Sequence, residues 1–85
     1  MRLTNFEKEE LIERILEYLF QVKSDYGYGI YKHISFPVTY LTTLYTLKQL
    51  EEKGIIKRKI EGKRTFFELT NRGKNLIQTK KVMVL

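Results

Sequence analysis

Apolar residues change their spacing along the chain, and each change marks a new element. Two rows, Leu11-Ile15-Leu19 and Ile12-Leu16-Phe20, recur every four residues with Glu9, Glu10, Glu13 and Glu17 outside them, the pattern of an amphipathic helix with a broad apolar face. Thr4, followed three residues later by Glu7, forms a capping box that starts this helix, and the pattern runs out near Val22. So wide a face exceeds what one thin domain usually covers, and predicts that this helix also contributes to a partner surface. Ser24-Asp25-Tyr26-Gly27 reads as a turn, and Tyr28 to Ile34 as two turns of helix with Ile30 and Ile34 inward.

Ser35 to Val38 forms the next turn, in which Pro37 holds Phe36 extended. Thr39 is placed to cap a helix starting near Tyr40, and Gly54 follows its last periodic residue and stops it. Within it Leu41, Leu44, Leu47 and Leu50 recur every third position and predict a buried stripe. Thr42, Thr46, Gln49 and Lys53 follow at helical spacing on the other side, with Tyr45 at the border and Tyr40 and Thr43 flanking the first turn. Beyond Gly54 the period falls to two. Ile56, Arg58 and Ile60 alternate with Ile55, Lys57 and Lys59, and after Glu61-Gly62-Lys63 the run Thr65, Phe67, Leu69 alternates with Phe66 and Glu68; this predicts a β-hairpin with a glycine tip. Thr70 then caps a last helix whose Leu76 and Ile77 pack on the core. The terminal Val82-Met83-Val84-Leu85 is either a continuation of that helix or a docking segment for a second copy.

Composition narrows what these elements can do. Eighty-five residues predict one domain, 1–85, with one modest core. The absence of cysteine excludes disulfides and Cys-based zinc sites and fits a reducing, cytoplasmic setting; no run is apolar enough for a signal peptide or membrane span. Net charge is +6 and unevenly placed: residues 1–22 carry three basic and five acidic side chains, whereas ten basic face two acidic ones from Lys53 onward. A basic block in an otherwise ordinary globular composition points to a polyanion, most simply nucleic acid, and less well to an acidic membrane surface.

A short helix, a tight turn and a second helix with a polar face make a helix-turn-helix. Neutral hydrogen-bonding side chains on that face suit base edges, where a merely solvated face would carry Glu and Lys. The hairpin cations Lys57, Lys59, Lys63 and Arg64 can follow a phosphate backbone; the same cations would also serve simply to protect an exposed sheet edge. A regulator built this way is expected to present Thr42 and Thr46 outward with the Lys63 loop on the same side; both threonines packed inside, or the loop on the reverse side, would overturn the reading.

The motifs themselves are familiar. Gly27-Tyr28-Gly29-Ile30 with Ile34, then Leu44-Tyr45, then Leu50-Glu51-Glu52-Lys53-Gly54-Ile55-Ile56, resemble the PadR family of winged-helix transcription regulators. Arg64-Thr65-Phe66-Phe67-Glu68-Leu69-Thr70-Asn71-Arg72-Gly73 is similar to that family's Arg-x-Tyr-Tyr-x-Leu-Thr-x-x-Gly stretch, with Phe for both Tyr. The match runs from Gly27 to Ile77, and its Leu-Thr-x-x-Gly part is shared by MarR-like and small archaeal or viral regulators. The resemblance implies an α+β winged helix-turn-helix of three helices, a two-stranded wing and a C-terminal helix. It implies Tyr28 and Tyr45 near phosphates, the residues around Thr42, Thr43 and Thr46 in the major groove, and Lys63 and Arg64 in the wing. Two departures are a threonine at position 42, where the family often has a small residue, and a short segment after Ile77 in place of a longer dimerisation helix.

Three functions follow. The first is a sequence-specific double-stranded DNA-binding regulator, a repressor acting as a homodimer through the first helix or the C-terminal segment, with helix 39–53 in the major groove and wing 57–66 on the backbone. Its contacts are Tyr40, Thr42, Thr43, Tyr45, Thr46 and Gln49 from the helix, Lys57, Lys59, Lys63 and Arg64 from the wing, and Tyr28 and Lys32 from the short helix. The alternative is a winged-helix protein-protein interaction module without DNA binding. A single-stranded nucleic-acid binder is third, and the scatter of its tyrosines over helices argues against it. No catalytic, metal or cofactor site is expected: His33 stands without a cysteine, acidic pair or phosphate loop, and Glu9, Glu10 and Glu13 share a solvated helix face. Tyr26, Tyr28 and Tyr31 read as packing around a glycine turn.

Overall fold

A computed structural model describes residues 3–84 of the backbone and residues 3–78 of the side chains. In chain order the elements are α1 (Asn5–Val22), β1 (Ser24–Tyr26), α2 (Gly27–Ile34), α3 (Tyr40–Glu52), β2 (Ile56–Glu61), β3 (Arg64–Leu69) and α4 (Asn71–Val84). The architecture is the expected α+β winged helix. Local signals end the elements as anticipated. The Thr4 hydroxyl accepts from the Glu7 N–H while the Glu7 carboxylate takes the Thr4 N–H, both at 3.1 Å. Thr39 accepts from the Thr42 N–H, and Gly54 and Gly62 take the left-handed conformation that closes α3 and turns the hairpin.

The sheet departs from expectation. Ser24–Tyr26, read as a turn, is a strand that pairs antiparallel with β3 (Ser24 with Glu68, Asp25 with Phe67, Tyr26 with Phe66), so the sheet has three strands in the order β1-β3-β2. Three residues are too few to show a period, and β3, which completes their ladder, lies some forty residues further on. The main chain reverses into β1 through Lys23, whose φ of 77° is unusual for a residue with a Cβ.

Leu11, Ile15, Leu16 and Leu19 of α1 meet Ile30 and Ile34 of α2, Leu47 and Leu50 of α3, Ile56, Phe67 and Leu69 of the sheet, and Ile77 of α4 in one core. Ile12 and Phe20 pack on its edge. Leu76, expected beside Ile77 in the core, is half-exposed. The Thr70-x-x-Gly73 part of the wing motif has a mechanical role here. The Thr70 N–H donates to the Ile55 carbonyl at 3.1 Å, its hydroxyl lies 2.6 Å from the Gly54 carbonyl oxygen, and it accepts the Gly73 N–H at 3.2 Å. Thr70 thus ties the start of α4 to the turn after α3, and a Cβ on Gly73 would collide with the Ile55 carbonyl oxygen. The backbone of α4 continues to Val84, while the side chains of the terminal apolar run lie outside the described residues.

Candidate nucleic-acid interface

The burial of α3 corrects the expected leucine stripe. A three-residue step falls short of a full helical turn by about 60°, so three such steps carry a stripe about half way round the helix. Leu47 and Leu50 are buried, Leu44 is half-buried, and Leu41 is 75 % exposed. Thr43 and Thr46 fill the resulting gap in the core and are 0 % and 3 % exposed. Both were expected at the DNA surface. Each hydroxyl is satisfied within the helix, Thr43 donating to the Thr39 carbonyl at 3.3 Å and Thr46 to the Thr42 carbonyl at 2.9 Å. A threonine can turn its hydroxyl back on the preceding turn and present its methyl to the core, which is why it substitutes for a leucine here.

What remains outward on α3 is a ridge of Leu41, Tyr45, Lys48 and Glu52, with Thr42 and Gln49 half-exposed along one flank. On that flank Leu3 and Lys8 from the start of α1 join Thr39, Leu41, Thr42, Tyr45 and Gln49 around an open groove. On the other flank Tyr40 and Lys48 of α3 line a cleft with Tyr26 of β1, Arg58 of β2, and Arg64 and Thr65 of β3. The sequence singled out neither Lys48 nor Arg58 as a site residue. Position 48 lies between Leu41 and Leu44 round the helix, at the end of the leucine row that turns out to solvent, so only the location of the wing gives it a role.

The wing cations differ in how free they are. Lys57 pairs with Glu68 at 3.3 Å, Lys59 with Glu61 at 3.3 Å, and Arg58 holds Glu51 of α3 through two bonds of 2.9 Å. Among the described residues no carboxylate pairs with Lys63, Arg64 or Lys48. Arg64 lies over the Tyr26 ring, 4.7 Å from its centroid. Exposed pairs such as Lys57–Glu68 are worth about 0–1 kcal/mol, so their lysines can exchange a carboxylate for another anion at little cost.

The helix before α3 is positioned by small residues. A Cβ on Gly27 would stand 2.9 Å from the Leu44 side chain, and one on Gly29 would stand 2.5 Å from the Asp25 carboxylate, so the Gly27-Tyr28-Gly29 motif lets α2 lie close to both α3 and β1. Asp25 accepts from the Tyr18 hydroxyl and from the Tyr26 N–H, and His33, whose ring stacks on Tyr18, bonds the Gly29 carbonyl through Nδ1 at 2.8 Å. Burial first, and then the Asp25 carboxylate, push the Tyr18 hydroxyl up to about 12. Tyr28 and Lys32 sit on the exposed side of α2. Tyr28 packs edge-on against Tyr40 at 5.4 Å between centroids, and the Lys32 ammonium lies 5.8 Å from the Tyr28 ring. Among the described residues no three His, Asp or Glu side chains are grouped to hold a metal ion, and no helix is long and apolar enough to cross a membrane.

No protein-family model matches the sequence, and no curated protein is similar to it. Solved structures are similar. A PadR family transcription regulator from Clostridium difficile superposes with a TM-score of 0.72 at 27% identity, over 85% of this chain and 84% of that one. The SSV1 protein F-93 gives 0.71 at 26%, over 85% and 82%. A Staphylococcus aureus MepR variant bound to an oligodeoxyribonucleotide gives 0.75 at 24%, over 96% of this chain and 58% of that one. The Gly-Tyr-Gly first turn of α2, the Leu-Thr-x-x-Gly tie at α4 and these superpositions agree: the chain has the winged-helix fold and is similar to PadR family transcription regulators.

Proposed function

We propose that this protein is a sequence-specific double-stranded DNA-binding transcription regulator that acts as a homodimeric repressor. The observation that carries the reading is the convergence of the α3 ridge and the wing on one cationic cleft, where Lys48, Arg58 and Arg64 meet beside Tyr26 and Tyr40. In this reading α3 enters the major groove while Lys63, Arg64 and the exchangeable Lys57 and Lys59 follow the backbone, and Tyr28 and Lys32 touch phosphates from α2. Gln49, Thr42, Tyr40 and Tyr45 supply the base-edge contacts; Thr43 and Thr46 support the helix from inside. A MepR variant with the same fold is bound to an oligodeoxyribonucleotide, which supports DNA as the partner. A cleft between α1 and α4, walled by Ile12, Leu16, Leu76 and Ile77 and rimmed by Glu9, Glu13 and Glu17, supports the dimer. Two copies joined there would present their α3 helices about 34 Å apart on a two-fold symmetric site.

Titration of a duplex at increasing salt tests the proposal. With about six phosphates neutralised per dimer, affinity falls roughly a thousandfold between about 50 and 200 mM salt, and sedimentation at micromolar concentration gives a dimer. Salt-independent binding, or a monomer, overturns it. The exposed Phe6 and Leu41 favour a second reading, a protein-binding winged helix, which has no duplex affinity even at low salt.

A further inference from the structure

Leu41 is three-quarters exposed on the outermost ridge of α3, between the half-exposed Thr42 and the Tyr40 that packs against Tyr28. Among the described residues it takes no part in the hydrophobic core. Its neighbour one turn on, Tyr45, is also about two-thirds exposed, so the ridge carries an apolar strip on the side of α3 opposite its buried residues. On both flanks the strip is bordered by hydrogen-bonding or cationic groups: Thr42 and Gln49 on one side, Lys48, Arg58 and Arg64 on the other. An apolar tip with neutral hydrogen-bonding groups on one flank and cations on the other fits a surface that is polyanionic at its rim and apolar at one spot within it. The major groove of duplex DNA has that character wherever a thymine places its 5-methyl group between base edges.

We infer that Leu41 is a specificity-determining residue that reads thymine through its 5-methyl group, with Tyr45 walling the same methyl on the next turn. The inference rests on the DNA-binding function proposed above and names the base that α3 selects. It also gives a use to a leucine at a position the core does not need. A hydrogen-bonding side chain there would compete for base edges with Gln49 and Thr42, whereas an aliphatic one discriminates only by the presence of a methyl.

The test uses uracil, which differs from thymine only by lacking that methyl. A duplex selected from random-sequence DNA by the wild-type protein is resynthesised with deoxyuridine replacing thymidine at one position at a time. Wild type loses about fourfold in affinity at one or two positions of each half-site, the effect of exposing one buried methyl. Leu41→Ala binds the thymine and uracil duplexes equally, and Leu41→Met, which keeps an aliphatic tip, restores the preference. Because Leu41 is exposed, the thermal midpoint of Leu41→Ala stays close to that of wild type and separates this loss from unfolding. Equal wild-type affinity for every thymine and uracil duplex overturns the inference while leaving DNA binding intact, as does a uracil penalty that persists undiminished in Leu41→Ala. Failure to select any duplex overturns the inference together with the function on which it rests.

Discussion

Helices α1 and α3 both carry evenly spaced aliphatic residues, yet one keeps them inside and the other does not. In α1 the step is four residues, which overshoots a turn by about 40°, and two short rows stay within one face. In α3 the step is three residues, which falls short by about 60°, and the row leaves the core before it ends. Leu11, Ile15 and Leu19 are therefore all buried, whereas Leu41 and Leu50 lie on opposite sides of their helix. The lesson is that regular spacing alone does not define a face; the sign and size of the angular drift decide where each end of the row points. A helix whose row drifts outward has apolar side chains to present to a partner and needs something else, here Thr43 and Thr46, to fill the vacated core.

The largest test of this contrast is a pair of truncations. Ile15→Ala on α1 removes a fully buried side chain and lowers unfolding free energy by about 2–5 kcal/mol, while Leu41→Ala changes it by no more than about 0.5 kcal/mol in urea denaturation. Similar losses for both would place Leu41 in the core after all. The end of α3 gives the next effect. Gly73→Ala drives a methyl into the Ile55 carbonyl oxygen beyond Gly54 and destabilises by roughly 1–3 kcal/mol, read from the thermal midpoint.

Smaller effects sharpen the division between the inward and outward faces of α3. Arg64→Ala lowers duplex affinity irrespective of sequence and reduces the slope of log affinity against log salt by about one per protomer. Thr46→Val leaves that slope and the affinity unchanged and alters stability by about 1 kcal/mol or less, since the hydroxyl it removes only doubles a carbonyl already bonded within the helix. A pH-dependent effect belongs to α1. The Tyr18 hydroxyl, held up to about 12, keeps a proton that the unfolded chain releases above about pH 10, so its contribution is complete below about pH 10 and is lost as pH rises toward about 12. Tyr18→Phe removes this part of the alkaline decline, seen as a shallower fall of the thermal midpoint over that range.

Much of the fold was legible because its punctuation is local. Thr4 with Glu7, Thr39, Gly54 and Gly62 act on backbone groups within a few residues of themselves, Thr70 accepts the Gly73 N–H three residues on, and each ends or starts an element where the chain said it would. The candidate site was legible only in part. Wing cations announce themselves by composition, but whether they face a carboxylate or solvent depends on Glu61 within the same strand, on Glu68 across the hairpin and on Glu51 from α3.

The chain alone determined the order of helices and hairpin, their ends, the motifs that resemble PadR regulators and the basic character of its second half, since all of these follow from neighbours in sequence. Tertiary structure alone decided that Ser24–Tyr26 is a strand, that Thr43 and Thr46 face inward and Leu41 outward, and that Lys48 and Arg58 share a cleft with Arg64. The physical reason is the same in each case. A three-residue strand takes its ladder from a partner far along the chain, and the rotation of a helix about its own axis is settled by the total surface it can bury against every other element, neither of which is written within the segment itself.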